Sequence, residues 1–241
     1  MPRKKASKEK APEINHNPFK SKITIQGKRL TEKQKAFLQL GLDKDTKIMF
    51  VEGPAGSTKT YAAVFAALRE LQKNDDMDLL YVRTAIESAD KGLGALPGTL
   101  EDKFNPYMAP LEDKLDELLP PTTPIAEELI QSGRIQAMPI NFLRGANWIN
   151  KIIIADESQN FTFKELVTLI TRIGENSKLI ICGDMMQSDI NGKTGFYDMI
   201  KLFDCEESRD RGIHCFRFTE DDILRSKILK YIVQKLKTAK S

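Results

Sequence analysis

The stretch KIMFVEGPAGSTKTYAAVFAALREL, residues 47–71, decides how the rest of the chain is read. It passes from a short apolar run through a loop of small residues into a segment that carries Val64, Ala67, Leu68 and Leu71 at helical spacing. The expected order is strand, loop, helix. Within it, Gly53-Pro54-Ala55-Gly56-Ser57-Thr58-Lys59-Thr60 differs at one position from the pattern G-x-x-x-x-G-K-[ST]. In that pattern the loop amides and the helix N-terminus approach phosphate oxygens, the lysine adds a full positive charge, and the hydroxyl is an oxygen ligand for Mg²⁺. Lys59 is therefore the expected phosphate cation and Thr60 an expected metal ligand. The departure is Thr58, which stands where the pattern has glycine. If the loop needs a positive φ there, the strain is about 1–3 kcal/mol; ordinary angles would avoid it.

Two further apolar runs follow, and each ends in acid. In KIIIADE, residues 151–157, four apolar residues precede Asp156 and Glu157. A continuous apolar run of this kind is the pattern of a parallel strand buried on both faces. Strand alternation predicts that the two carboxylates point different ways. They can then divide the work, Asp156 toward the metal and Glu157 as the base that orients and deprotonates a water. KLIICGD, residues 178–184, is the second run, and Gln187 shortly after it is placed to hydrogen-bond a γ-phosphate or its water.

Strands alternating with helices imply right-handed crossovers and a mostly parallel sheet, with ligands at the carboxyl ends of the strands. Thr31 to Gln34 and Thr162 to Glu165 each have the form of a capping box and predict helix starts. Gln34 has a capping role already, and an adenine contact is a second one open to it. Thr123 as N-cap with Pro124 at the first helical position predicts another helix, and IQAMPI, residues 135–140, a further strand.

The chain has 241 residues, 41% of them apolar and 29% charged, which fits one core-bearing domain. Residues 1–22 are poor in apolar side chains and are expected to be a disordered basic tail, leaving 23–241 as a single domain. Residues 1–29 hold nine Lys or Arg and two Glu, so the remainder carries −4 against a whole-chain charge of +3. A basic arm suits either solvation or phosphate contact. No apolar run approaches the roughly 20 residues that span a bilayer. Cys182, Cys205 and Cys215 lie far apart without a C-x-x-C pair, which suits a reducing compartment. The expectation is a soluble cytoplasmic protein without membrane contact.

With GPAGSTKT (53–60), RGANWINKIIIADESQN (144–160) and KLIICGDMMQSDI (178–190) in this order, the chain resembles the PhoH-like proteins, phosphate-starvation-inducible ATPases of bacteria and phages. The segment YVRTAIESADKGLGALPGTLEDKFNPYMAPL, residues 81–111, also looks like that family. The family is in turn similar to the first motor domain of superfamily-1 helicases. The resemblance implies an α/β, RecA-like P-loop NTPase fold and hydrolysis of ATP with Mg²⁺. It also implies coupling to RNA or single-stranded DNA in a ring-shaped homo-oligomer, a hexamer. Phosphoryl transfer benefits from an arginine near the γ-phosphate, and a neighbouring subunit would supply it. Arg225, in FTEDDILRS, is the first choice and Arg144 the second; Arg83 is placed to face nucleic acid or to buttress the sheet. Ser158 stands where the family suggests alanine. Trp148, Phe142 and Tyr107 are either core residues or platforms for bases.

Three functions stay open on the residues. One is an oligomeric ATPase acting on RNA or single-stranded DNA. Another is a slow ATP-binding interaction switch that leaves nucleic acid alone. The third, a GTPase or small-molecule kinase, lacks an [NT]-K-x-D purine reader.

Overall fold

The computed structural model describes residues 21–26, 29–84, 100–143, 148–185, 194–224 and 226–240. Six strands form one all-parallel sheet: β1 (Ile48–Glu52), β2 (Asp78–Arg83), β3 (Ile135–Pro139), β4 (Lys151–Ala155), β5 (Lys178–Gly183) and β6 (Ile213–Arg217). Their order across the sheet is β3-β2-β4-β5-β1-β6. The fold is α/β and RecA-like, with β5 between the strand that enters the glycine-rich loop and the strand that leads into Asp156 and Glu157.

Because successive side chains of a strand point to opposite faces, each inner strand feeds two cores. Val51, Tyr81, Ile152, Ile154 and Cys182 face one side and meet α1 (Glu32–Gly41), α2 (Lys59–Lys73), α3 (Leu100–Leu118) and α4 (Ile125–Gln131). Phe50, Leu80, Ile153 and Ile181 face the other and meet α5 (Phe163–Ile170) and α6 (Gly195–Phe203). The short α7 (Glu206–Asp210) leads into β6, and α8 (Lys227–Lys240) closes the described chain.

The two capping boxes form: Thr31 Oγ1 accepts from the Gln34 N–H, and Thr162 Oγ1 from the Glu165 N–H, each reciprocated by the longer side chain. A third, between Thr219 and Asp222, was not anticipated. At α4 the expectation is corrected. The helix starts at Ile125 with Pro124 as N-cap, and the Thr123 hydroxyl donates to the Pro120 carbonyl at 3.1 Å instead of capping. That bond commits Thr123 to a turn one residue earlier.

Helix α3 runs through Pro106 and Pro110, each of which removes a backbone donor. Tyr107, Leu111, Leu115 and Leu118 lie on one buried stripe at helical spacing, and their burial holds the helix together through the prolines. Among the described residues no helix is long and apolar enough to cross a membrane.

Candidate active site

At the carboxyl end of the sheet, the loop after β1 meets the ends of β4 and β5. Gly53 donates its N–H to the Gly183 carbonyl at 3.2 Å. A Cβ on Gly53 would sit 2.7 Å from both the Phe218 Cβ and the Ser57 hydroxyl, so only glycine admits this approach. Ser57 is fully buried, and its hydroxyl donates to the Pro54 carbonyl at 2.7 Å, tightening the turn.

Gly56 has φ 77°, and Thr58 has φ 66° and ψ 21°. The left-handed conformation left open by the sequence is thus the one adopted, on a β-branched residue that pays a steric penalty for it. The side chain has a specific anchor. Gln34 Nε2 donates to Thr58 Oγ1 at 2.8 Å, while Gln34 Oε1 accepts from the Thr31 N–H at 2.9 Å. The Gln34 amide is therefore committed at both ends, to the cap of α1 and to the loop. It still lines the cleft, but as a brace for Thr58.

Lys59 Nζ donates to the carbonyls of Gly53, at 2.6 Å, and Pro54, at 3.0 Å. An ammonium has three donors, so two hold the loop's own backbone and a third is left to aim at an anion. The Thr60 hydroxyl donates to Asp156 Oδ1 at 2.9 Å, joining the start of α2 to the end of β4. Oδ2 of the same carboxylate accepts from the Tyr81 hydroxyl at 2.5 Å. Burial, and Asp156 beside it, push the Tyr81 phenol far above its ordinary range, so it stays protonated as a donor. Burial likewise raises the Cys182 thiol next to this group and keeps it neutral.

Strand β4 ends at Ala155, so Asp156 and Glu157 diverge for a different reason from the strand alternation expected. Glu157 has φ 53°, and this left-handed turn swings its side chain away from that of Asp156. Asp156 is buried, whereas the Glu157 side chain is 42% exposed. Gln159 Nε2 donates to Glu157 Oε2 at 2.6 Å and Gln159 Oε1 accepts from the Asp184 N–H at 2.9 Å, so one buried amide ties Glu157 to the end of β5. Arg83 at the end of β2 lies 3.9 Å from Glu157 Oε1. Ser158, the departure from alanine, is buried and donates to the Ala155 carbonyl at 3.0 Å, which explains why the hydroxyl is tolerated.

A cleft of about 870 Å³ opens above the loop. Its walls are Gly56 and Thr58 to Tyr61, the approach to α1 at Arg29 and Leu30, the second half of α3 at Asp113, Lys114 and Glu117, and Leu224. This is the size range of small-molecule pockets. The Leu224 N–H donates to the Gly56 carbonyl at 3.3 Å, which draws the segment before α8 onto the loop. Thr60 and Asp156 offer hard oxygen donors side by side, a pair that would suit Mg²⁺.

Gln187, Arg225 and Arg144 lie outside the described residues, as do residues 1–20 of the basic tail. Trp148 and Tyr107 are core residues, each 2% exposed, which removes them as stacking platforms; Phe142 is exposed. Tyr81, Gln159 and Leu224 were missed by the sequence reading. Each acts through a partner distant in sequence or through the turn after β4, and no local pattern announces it.

Residues 25–237 match the family model described as PhoH-like protein. The PhoH-like protein of Mycobacterium tuberculosis (strain ATCC 25618 / H37Rv) is 34% identical over 212 residues, covering 87% of this chain and 57% of its own length. Protein PhoH of Escherichia coli (strain K12) is 31% identical over 182 residues, covering 75% of this chain and 50% of its own. The chain thus spans about half the length of the curated relatives it matches. A solved structure of Pif1 helicases, concerned with DNA unwinding at forked double-stranded DNA, is similar over 79% of this chain and 43% of that one. Its identity is 18% and its TM-score 0.36, below what a fold argument requires.

Proposed function

This chain belongs to the PhoH-like family, and from that premise and the geometry of the cleft we propose that it binds and hydrolyses ATP with Mg²⁺. The observation that carries the reading is the 2.9 Å hydrogen bond from Thr60 to Asp156. It joins Thr60, which lines the cleft beside the loop that suits phosphate, to the buried acid that suits a metal. Nothing in a solvated turn would require a threonine at the first turn of a helix to meet a buried carboxylate from another strand.

In this account the amides of Ala55, Gly56 and Thr58 to Thr60 and the third donor of Lys59 grip the β- and γ-phosphates. Thr60 and Asp156 hold the magnesium ion, which when bound neutralises charge on the phosphoryl oxygens. Glu157, exposed enough to reach solvent and held by Gln159, takes a proton from the attacking water. Gln187 contacts the γ-phosphate or that water. Arg225 neutralises charge in the transition state. Leu224 immediately before it touches the loop of its own chain, so donation within one subunit competes with donation from a neighbour.

The reading extends to coupling with RNA or single-stranded DNA in a homo-oligomeric ring, in the cytoplasm. The basic N-terminal arm and the lysines of α8 support it by charge, and the family by analogy. A slow ATP-binding switch is the second reading, favoured by the left-handed Thr58.

Measuring ATP turnover with Mg²⁺, with and without single-stranded RNA, tests both. Stimulation by RNA is the expected result. Slow turnover that RNA leaves unchanged supports the switch, and absence of nucleotide binding overturns both readings. Mixing Arg225→Ala with Lys59→Ala chains locates the arginine: recovered activity means donation between subunits, and none means donation within one.

A further inference from the structure

We propose that Tyr81 is a positioning residue for the metal-holding carboxylate, fixing Asp156 so that a single oxygen faces the metal and favouring Mg²⁺ over Ca²⁺. The inference rests on the reading of Asp156 as the metal-holding acid and goes beyond it by naming what orients that acid.

β2 pairs with β4 in parallel, with Tyr81 opposite Ile154 and Val82 opposite Ala155. The pairing continues past the strand, since the Asp156 N–H donates to the Val82 carbonyl at 2.9 Å. The backbone that carries the acid is thus locked to the strand that carries the tyrosine. Tyr81 is fully buried, and its hydroxyl reaches Asp156 Oδ2 at 2.5 Å, while Thr60 reaches Oδ1 at 2.9 Å. Each oxygen of one carboxylate therefore answers to a different element, Oδ1 to the start of α2 and Oδ2 to β2.

The chemistry of the donor matters as much as its place. A lysine or arginine here would orient the carboxylate but cancel its charge, and the site would lose its attraction for a cation. A phenol orients it and leaves the charge in place. Pinning Oδ2 also opposes bidentate binding through both oxygens. Magnesium takes near-octahedral shells of single oxygens, whereas calcium accepts larger shells that include bidentate carboxylates. A carboxylate held by one oxygen therefore suits the smaller ion, and outer partners of this kind change metal affinity or activity by about 10–100-fold when removed.

The test is equilibrium binding of a non-hydrolysable ATP analogue to the full chain, titrated with Mg²⁺ or Ca²⁺, for wild type and Tyr81→Phe. For the variant we expect the Mg²⁺ midpoint to rise about tenfold or more. The Ca²⁺ midpoint moves less, and binding without divalent ion stays unchanged. A role confined to packing would lower thermal stability and leave the ratio of the two midpoints alone; that result overturns the proposal. Site-specific 3-fluorotyrosine in place of Tyr81 keeps the packing and makes the phenol a stronger donor, so the experiment stays readable if Tyr81→Phe does not fold. It should also displace the Mg²⁺ midpoint, and an unmoved midpoint counts against the proposal. If wild type itself shows no dependence on divalent ions, the reading of Asp156 fails first; if wild type shows it and neither substitution shifts it, only the role of Tyr81 fails.

Discussion

Thr58 on the phosphate loop and Glu157 at the end of β4 both hold left-handed backbone angles, φ 66° and 53°, that favour glycine, and each is anchored by the amide of a glutamine. The anchors work differently. Gln34 reaches Thr58 from a separate helix, 24 positions earlier, and holds a hydroxyl whose loss would leave the loop free to keep its path. Gln159 reaches Glu157 from within the same turn, two positions later, and holds the carboxylate proposed as the base. At Thr58 glycine would serve the backbone equally well, so the strain is incidental and a hydrogen bond offsets it. At Glu157 glycine would relax the turn and remove the proposed base. Strain at a site is informative only when the side chain that suffers it has something to do.

The comparison breaks most sharply at Glu157. Glu157→Gln keeps the turn and its hydrogen-bonding shape but removes the proposed base, so turnover should fall by about 10²–10⁴-fold with nucleotide affinity little changed. Steady-state kinetics beside equilibrium ATP binding would check it, and full activity would exclude Glu157 as the base. Next in size is Gln159→Ala, which strips the donor from Glu157 and the acceptor from the Asp184 N–H. Denaturant melts should show a loss of about 2 kcal/mol, with turnover reduced as well, because a buried amide group is left unpaired.

Gln34→Ala removes one arm of a capping box and the brace on Thr58, for an expected loss of about 1–2 kcal/mol in the same melts. The smallest effect sharpens the comparison most. Thr58→Gly relieves the left-handed strain but discards the Gln34 contact, so alone it should change stability by less than about 1 kcal/mol. In the Gln34→Ala background the contact is already gone, and Thr58→Gly should become stabilising by about 1 kcal/mol. Equal effects in the two backgrounds would mean that Gln34 does not offset the strain.

What the sequence made legible follows from how local each signal is. β1, β4 and β5 are buried on both faces, so their apolar runs are unbroken, and the capping boxes at Thr31 and Thr162 close over four residues. β6 lies at the sheet edge, half-exposed, and its mixed composition gives it a weaker local signal. α3 runs on through Pro106 and Pro110 because its burial stripe is tertiary and outweighs the local cost. In the site, Gly53 to Thr60 and Asp156-Glu157 are contiguous in sequence and could be read. Tyr81 meets Asp156 across 75 positions through strand pairing, and only the sheet order brings them together.

In the proposed complex a nucleoside triphosphate sits between the loop amides, Lys59 and the Thr60–Asp156 pair. Calorimetric titration of ATP with Mg²⁺ into wild type and Lys59→Ala tests it most directly. The account predicts saturable binding by wild type and at least tenfold weaker binding by Lys59→Ala, since a charge-assisted phosphate contact is lost. Equal affinity in the two proteins would contradict it.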